Sequence, residues 1–400
     1  MKSICTVLIA GAMACAISAP AMAAQPAELL LHSFGSDVDG VQPHSSLVEV
    51  NGILYGTTTE GGTHSSGSVF TLNPALKKKN ETVLYSFCSK AKCADGKLPD
   101  ASLVAVNGLL YGTTHRGGKY GKGTVFSIDP TTGAEKVLHT FGNGADGAYP
   151  VAGLLNTSGT TLYGTTQLGG TGSGTVFEID AGTGAETVLY SFCGQQNCTD
   201  GKYPVASLIA VNGLLYGTTK LGGKGLGTAF SLDPSSGVET VLYSFCSQSK
   251  CADGAYPVAD LVDVNGTLYG TTYGGGAKKS YGTVFSLNLS SGTEQVLYSF
   301  CAQQNCTDGE YPVAGLLNVN GTLFGTTSYG GLYNGGEVFT LDPGTGTMAT
   351  VYSFCTNLFC TDGGFPEADL LDVSGTLYGT TLGGGLNGYD MGAVFAITNP

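Results

Sequence analysis

An Asp-Gly step recurs at Asp39, Asp95, Asp146, Asp200, Asp253, Asp308 and Asp362, and a proline follows three residues after each glycine. A ring of such carboxylates could hold calcium through oxygen ligands. The same side chains could instead cap their own backbone turns, which every copy needs whether or not it binds anything, and the turn is the preferred reading. A second set of residues sits in Gly-rich stretches that share the frame Thr-Thr-x-x-Gly-Gly while their inserts change. Those inserts hold His115, Arg116, Tyr120, Lys220, Tyr273, Tyr281, Tyr329, Tyr333, Tyr389 and Asp390. Tyrosine offers a flat apolar ring with a hydrogen-bonding tip, suited to sugar or peptide contact. These ten are the candidate ligand-binding residues, set against ordinary surface drift between copies.

Two further groups could carry chemistry. Glu49 and Asp372 stand at one variable position of a short strand, where an acidic channel mouth for a cation competes with plain solvated side chains. Ten cysteines form five Cys-x4-Cys pairs, Cys88/Cys93, Cys193/Cys198, Cys246/Cys251, Cys301/Cys306 and Cys355/Cys360. The matching loops after Phe34 and Phe141 lack both cysteines and are three residues shorter from Phe to Asp. Cysteines that come and go together with a loop-length change read as local disulfides, expected to staple loops and not to support the core. Zinc would need four converging ligands, and the pairs belong to different copies.

No His-Glu-x-x-His, Gly-x-Ser-x-Gly or phosphate loop occurs. Of the five histidines, His32 and His139 stand where other copies have Tyr and read as strand residues, while His115 falls in the variable loop frame. No cofactor is expected. Net charge is −13 with 12 % charged residues, so there is no basic stripe for phosphate backbones and nucleic acid is not an expected partner.

These residues are positioned by one unit written seven times. Tyr-Gly-Thr-Thr or Phe-Gly-Thr-Thr starts at Tyr55, Tyr111, Tyr163, Tyr216, Tyr269, Phe324 and Tyr378, in steps of 52 to 56 residues. A fixed period of that size marks supersecondary units that bury their apolar faces by stacking. Copy two reads as four short strands: 103–106, 109–114, 124–129 and 136–141. Asn107-Gly108 joins the first pair, with Asn51, Asn212, Asn265 and Asn320 in its place elsewhere and Ser158-Gly159 or Ser374-Gly375 in copies three and seven. Asn-Gly favours the positive φ angles of a type I′ hairpin. The second pair turns through segments such as Asp129-Pro130-Thr-Thr-Gly133. No helical period runs long enough to compete, so the mature chain is expected to be all-β.

Four antiparallel strands per unit and seven units predict a seven-bladed β-propeller. Copy seven stops at Pro400 without a fourth strand, and the segment 29–34 matches the fourth strand 83–87. The N-terminal strand is therefore expected to complete the last blade and remove exposed sheet edges. Strand alternation puts the short turns on one face of the ring. Both long loops, the Gly-rich stretch and the loop ending in Asp-Gly-x-x-Pro, lie on the other, which is the candidate working surface. Lys2, the apolar run 4–17 and Ala21-Met22-Ala23 form a secretory signal over residues 1–24, leaving 25–400 as the propeller domain. No later stretch approaches the ~20 apolar residues of a membrane helix. Secretion or a periplasmic location is expected.

The phrase Leu-x-x-Val-Asn-Gly-x-Leu-Tyr-Gly-Thr-Thr-x-x-Gly-Gly, followed by Gly-Thr-Val-Phe-Ser-Leu-Asp-Pro, resembles the GloVer tandem repeat of bacterial exported proteins. The likeness spans nearly all of the mature chain. It implies a surface or secreted repeat protein of unassigned activity, often carrying a C-terminal sorting anchor, and no catalytic residues to carry over. The chain ends within copy seven, so release is expected over anchoring. Three functions stay open: a non-catalytic propeller binding a polysaccharide, peptide or protein; a propeller hydrolase or lyase acting on glycans; and a structural spacer.

Overall fold

A computed structural model describes residues 27–35, 38–76, 80–277, 281–388, 390–398 and 400. The leader expected over 1–24, the lysine run Lys77 to Lys79 and Tyr389 lie outside them. The described strands form seven four-stranded antiparallel sheets, and the seven sheets are the blades of a β-propeller. Blade 1 shows the plan, with strands Val48–Val50, Ile53–Thr58, Ser68–Leu72 and Glu81–Ser86 paired in sequence order. Blades 2 to 6 repeat it. Among the described residues the only helical pieces are four 3-10 turns, all in cysteine loops, and no helix is long and apolar enough to cross a membrane.

The Asn-Gly turns adopt the expected geometry, with φ of +54° and +82° at Asn51 and Gly52, and Ser374-Gly375 does the same at +56° and +82°. Blade 3 departs from the expectation. Ser158 pairs with Thr161, the register shifts between Asn156 and Ser158, and the chain reverses at Gly159 and Thr160. The extra residue of this copy moves the turn one step on, so Ser158-Gly159 is not its reversing pair.

The repeated Tyr-Gly-Thr-Thr phrase is explained by packing. Gly56 lies opposite Phe70 across the second and third strands. A Cβ on Gly56 would come within 2.6 Å of Phe70 Cζ and 2.9 Å of Leu47 Cδ2, so only glycine lets the phenyl ring lie over the strand. The first threonine reaches the neighbouring blade: Thr57 Oγ1 donates to Ala101 O at 3.2 Å. The second stays inside its blade, with Thr114 and Thr124 hydroxyls 2.9 Å apart in the core.

Blades adhere through phenylalanine pairs. The Phe that ends each fourth strand meets the third-strand Phe of the next blade edge to face, as in Phe87–Phe126 at 5.0 Å and Phe192–Phe230 at 5.0 Å. The pattern continues across the chain ends, with Phe354–Phe395 at 4.9 Å and Phe34–Phe70 at 5.0 Å. Ala27–Ser33 pairs antiparallel with Ala393–Thr398 as the outer strand of blade 7, from Ala27 opposite Thr398 to Ser33 opposite Ala393. Blade 7 is joined to blade 1 by Thr380 Oγ1 donating to Ser45 O at 3.2 Å and Asp369 N donating to Ser46 Oγ at 3.0 Å. The ring is closed by the N-terminal strand.

All five Cys-x4-Cys pairs are disulfides: Cys88–Cys93, Cys193–Cys198, Cys246–Cys251, Cys301–Cys306 and Cys355–Cys360. Cys301, Cys355 and Cys360 are buried and the other seven cysteines half-buried. The second cysteine of each pair also has a backbone role that the spacing did not reveal. Cys93 and Cys198 each end a 3-10 turn with φ of +52°, and Cys360 turns at +48° without one. So turned, each carbonyl accepts two amides. Cys93 O accepts from Gly96 N and Gly118 N, both at 2.9 Å, Cys198 O from Gly201 N at 3.0 Å and Gly223 N at 2.9 Å, and Cys360 O from Gly363 N at 2.9 Å and Gly385 N at 2.8 Å. In each case the second glycine belongs to the Gly-rich loop of the following blade, so these cysteines tie the two long loops of the working face together.

Cys301, Cys306 and Glu310 are the one group of three with metal-ligand atoms among the described residues, and its two sulfurs are bonded to each other, which removes the zinc alternative there. Replacing Cys246 and Cys251 together by serine should lower stability by about 2 kcal/mol or less, the loop-entropy value for so short a ring. A urea melt checks this. The effect stays small because Asp253 holds the same loop without the disulfide, through the contacts described next.

Candidate binding site

The recurring aspartates are loop caps. Asp253 is buried and its Oδ2 accepts from Ser247 N at 2.9 Å and from the Tyr243 hydroxyl at 2.9 Å. Asp95 and Asp308 repeat this with Tyr85 and Tyr298, at 2.9 and 2.7 Å. In the two short loops without cysteines the partner is histidine: His32 Nε2 lies 3.2 Å from Asp39 Oδ2, and His139 Nε2 lies 3.2 Å from Asp146 Oδ2. His32 and His139 are thus strand residues with one positional role. Asp200 and Asp362 accept from the Tyr190 and Tyr352 hydroxyls in the same way, both at 2.9 Å, so each of the seven carboxylates serves its own loop.

Glu49 and Asp372 also serve their own turns. Asp372 Oδ1 accepts from Gly375 N at 2.9 Å, and a Glu49 carboxylate oxygen accepts from Gly52 N. Neither borders the central cavity, whose acidic residues are others.

The segment Asp-Gly-x-x-Pro builds the working face. The residue before each proline has φ between +56° and +60°: Gln42, Leu98, Tyr149, Tyr203, Tyr256, Tyr311 and Phe365. A left-handed conformation is costly for bulky side chains and needs outside enforcement. Backbone bonds from two blades supply it. Tyr256 N donates to Leu226 O at 2.8 Å in blade 4, and Tyr256 O accepts from Tyr273 N at 3.0 Å in blade 5. Across the chain ends, Gln42 N donates to Met391 O at 2.9 Å, and Gln42 O accepts from Thr59 N at 3.0 Å. These seven residues are aromatic from blade 3 to blade 7; Tyr256 borders the central cavity, and Gln42 and Phe365 border a smaller one.

Beyond the proline, the chain lines the channel itself. A cavity of about 720 Å³ opens there, bordered by residues from all seven blades, including Tyr256, Tyr273 and Lys220. One residue past each proline stand His44, Asp100 and Glu367 on blades 1, 2 and 7, and Val151, Val205, Val258 and Val313 on blades 3 to 6. The upper wall therefore has a polar arc and an apolar arc. His44 Nε2 lies 2.8 Å from Glu367 and its Nδ1 lies 3.8 Å from Asp100. Burial opposes a charge on His44, but the hydrogen bond to Glu367 and the two neighbouring carboxylates outweigh it and push its pKa up to about 9.

Three residues past the proline, backbone amides are capped around the channel by the next blade's side chain. Ser46 N donates to Ser102 Oγ at 3.1 Å, Gly153 N to Ser207 Oγ at 3.1 Å, Ser207 N to Asp260 Oδ1 at 2.6 Å and Gly315 N to Asp369 Oδ1 at 2.5 Å. Burial raises the pKa of Asp260, and burial together with the charge of Asp260 raises that of Asp369 to about 7.

Nine of the ten loop residues singled out from sequence are described, and they are dispersed. Lys220 and Tyr273 border the main cavity. Tyr273 stacks on Tyr311 at 4.9 Å, and Tyr281 meets the same ring edge-on at 5.3 Å. Tyr329 leans on Phe365 at 5.1 Å, and together with Asp390 it borders a second cavity of about 280 Å³. His115 and Arg116 flank Tyr149 at 5.5 and 5.4 Å. Tyr120 and Tyr333 are exposed and border neither cavity. Cys93, Cys198, Cys360 and the other seven disulfide cysteines border neither cavity as well, so their part in the site is to hold its loops.

Sequence reading missed the aromatics before the proline and the residues one and three positions after it. The signal was present, since proline and a following Ala or Ser stay fixed while these neighbours vary. That is the same fixed frame with a variable insert that marked the Gly-rich loops.

Fold and cavity together define a seven-bladed propeller with a central chamber bordered by Tyr256 and Tyr273 of blade 5. The model of the Gloeobacter/Verrucomicrobia repeat matches residues 22–173 and 158–317, and the chain belongs to that family. No curated protein matches its sequence. Among solved structures it is similar to an oligogalacturonate lyase in complex with manganese, at 12 % identity and a TM-score of 0.54, covering 94 % of this chain and 99 % of that one. It also matches a putative 6-phosphogluconolactonase from Bacteroides uniformis at 14 % identity and a TM-score of 0.48, over 84 % of this chain and 89 % of that one. At such identities the likeness to the lyase speaks to the propeller fold alone.

Proposed function

We propose that this is an exported, non-catalytic propeller that binds an extracellular polysaccharide, peptide or protein through its long-loop face, and that a glycan is the ligand its geometry fits best. The observation that carries the reading is the central cavity, which Tyr256 and Tyr273 of blade 5 border together with His44, Asp100 and Glu367 of blades 1, 2 and 7. Sugars present apolar C–H faces to aromatic rings and hydroxyls to carboxylates, and this chamber supplies both at one opening. Export is supported by the leader pattern over 1–24 and by five disulfides, which persist in oxidising compartments.

Titration calorimetry against a panel of neutral and charged oligosaccharides tests this. Tyr256→Ala and Tyr273→Ala should each weaken binding roughly tenfold, the scale of one lost aromatic contact, without moving the melting temperature. Unchanged affinity in both would remove the cavity from the proposal.

Catalysis on glycans is the second reading, and the Asp260–Asp369 pair favours it. A carboxyl with its pKa raised to about 7 suits a general acid or base at neutral pH. Product formation that Asp369→Asn abolishes would decide for this reading; saturable binding without products decides for the first.

A further inference from the structure

Four aromatic side chains join the two cavities. Tyr273 of blade 5 borders the central cavity and stacks on Tyr311 of blade 6 at 4.9 Å. Tyr311 meets Tyr329 edge-on at 6.2 Å, and Tyr329 leans on Phe365 of blade 7 at 5.1 Å. Tyr329 and Phe365 both border the second cavity. An unbroken run of ring contacts therefore leads from one cavity to the other across three blades. Tyr273 and Tyr329 are exposed, and Tyr311 and Phe365 half-buried, so the run lies at the surface. Its two inner members are fixed by backbone bonds to the loops on either side. Tyr311 N donates to Tyr281 O at 2.8 Å, and Tyr311 O accepts from Ser328 N at 3.1 Å. Phe365 N donates to Gly335 O at 2.7 Å, and Phe365 O accepts from Leu382 N at 3.0 Å. A platform ordered before binding loses little entropy when a ligand settles on it.

The second cavity supplies open hydrogen-bonding groups at the far end of the run. Gln42, Asn334 and Asp390 border it, and among the described residues their side chains have no hydrogen-bond or ion-pair partner. At about 280 Å³ it is small for a ligand of its own and suits one unit of a longer one. Asp390 is the one charged residue among those that border it, and the chain as a whole carries −13, which disfavours an anionic polymer.

We infer that the ligand is an extended, uncharged polysaccharide laid across blades 5 to 7, with one part in the central cavity and a later unit in the second cavity. This rests on the glycan reading above and narrows it to a chain, with the second cavity as a further subsite. β-1,4-linked sugars form flat ribbons whose C–H faces can lie against successive rings. The amides of Gln42 and Asn334 both donate and accept, as hydroxyls require. Two subsites bridged by one chain bind more tightly than either alone once the chain is long enough to reach both.

The test is calorimetry on the purified full chain with trimers and hexamers of β-1,4-linked glucose, mannose and xylose, beside galacturonate hexamers. In at least one neutral series the hexamer should bind about tenfold tighter than the trimer, the scale of one added aromatic contact. Tyr329→Ala should remove that gain and leave trimer affinity unchanged, while Tyr329→Phe keeps the ring and the gain. Asp390→Ala should reduce the gain roughly threefold, the scale of one hydrogen bond. Both positions are exposed, so the melting temperature should not move. Equal binding of trimer and hexamer in every neutral series, or a gain that survives Tyr329→Ala, overturns the inference while the glycan reading stands. Galacturonate hexamers binding as tightly as the neutral ones overturn the choice of an uncharged chain. If no oligosaccharide binds, the glycan reading fails and the inference with it.

Discussion

Replacing Phe34 with alanine is expected to lower the stability of the protein by about 3–5 kcal/mol, the range for truncating a fully buried phenylalanine. Phe34 has no solvent exposure, its ring meets Phe70 at 5.0 Å, and its backbone N donates to Gly392 O at 3.0 Å. It is the residue at which the N-terminal strand of blade 7 hands over to blade 1. Phe87→Ala is the control, because Phe87 makes the same edge-to-face contact with Phe126 at an uninterrupted junction. Similar losses in both variants, read from denaturant midpoints, mean that the closing junction is as tight as an internal one. A Phe34→Ala cost near zero beside a full cost for Phe87→Ala would mean that the ring is open in solution. Deleting residues up to Ser33 should have the larger effect, because it leaves Ala393–Thr398 as an unpaired edge, and such edges recruit other chains. Light scattering after purification detects that outcome.

Stability should fall as pH rises from about 5 to about 8.5. The cause is a carboxyl at every blade junction. Glu81, Glu135, Glu186, Glu239 and Glu294 begin fourth strands and Glu28 is the second residue of its own, and each has a buried Oε1 without a hydrogen-bond partner. Met348 takes this position in blade 6, opposite Leu341, and there the third strand supplies Glu337 instead, fully buried and with the same orphaned oxygen. Burial is the main cause of the raised pKa in every case, and a neighbouring loop aspartate adds to it: Asp362 for Glu28, Asp200 for Glu239, Asp253 for Glu294, Asp308 for Glu337. Glu28, Glu81, Glu186, Glu239 and Glu294 are pushed to about 7 and Glu337 to about 8. Glu135 is raised by burial and partly offset by Lys90, whose Nζ lies 2.7 Å away.

A carboxyl whose folded pKa exceeds its unfolded value stabilises the fold while protonated. That contribution is complete below about 4.5 and is lost as pH passes 7. His44, raised to about 9, adds a loss in the same direction at higher pH. One pK unit is about 1.4 kcal/mol, and solvent screening of the half-buried carboxyls reduces this severalfold. Summed over the junctions, a drop of roughly 5 °C in melting temperature between pH 5.5 and 8.5 is expected. A flat profile would contradict it. Glu337→Gln, which keeps the shape and removes the titration, should make the profile measurably shallower.

The propeller was legible because its information is local and repeated. Each Asn-Gly or Asp-Pro turn names a hairpin, each Tyr-Gly-Thr-Thr names a second strand, and seven copies average away the ambiguity of any one. Even the closing strand could be read, since 29–34 carries the pattern of a fourth strand displaced to the front. The loop aspartates were likewise read as caps, because an Asp-Gly turn has its own chemistry wherever it occurs. Cysteine pairing was legible for the same reason, but the bonds from the Cys93, Cys198 and Cys360 carbonyls to the next blade's glycines were not, since they join segments that only packing brings together. Blade 3 shows the limit of such reading: one inserted residue moved the reversal from Ser158-Gly159 to Gly159-Thr160, a choice made by strand register.

The site was less legible, because its residues meet around an axis and not along the chain. Asp260 and Asp369 are 109 positions apart in the numbering, and Gly315 lies between them on a third blade. His44 meets Glu367 only because the ring is closed. Variable loop residues were visible as candidates, but Tyr120 and Tyr333 border neither cavity while Tyr256, unremarked beside its proline, borders the main one. From the sequence alone came the blade, its sevenfold repetition, the disulfides and the face that bears the long loops, all set by contacts within or next to one copy. Only the tertiary structure decided which side chains share the central chamber. Circular closure brings the ends of seven separate segments to one axis, and nothing in the spacing along the chain records that distance.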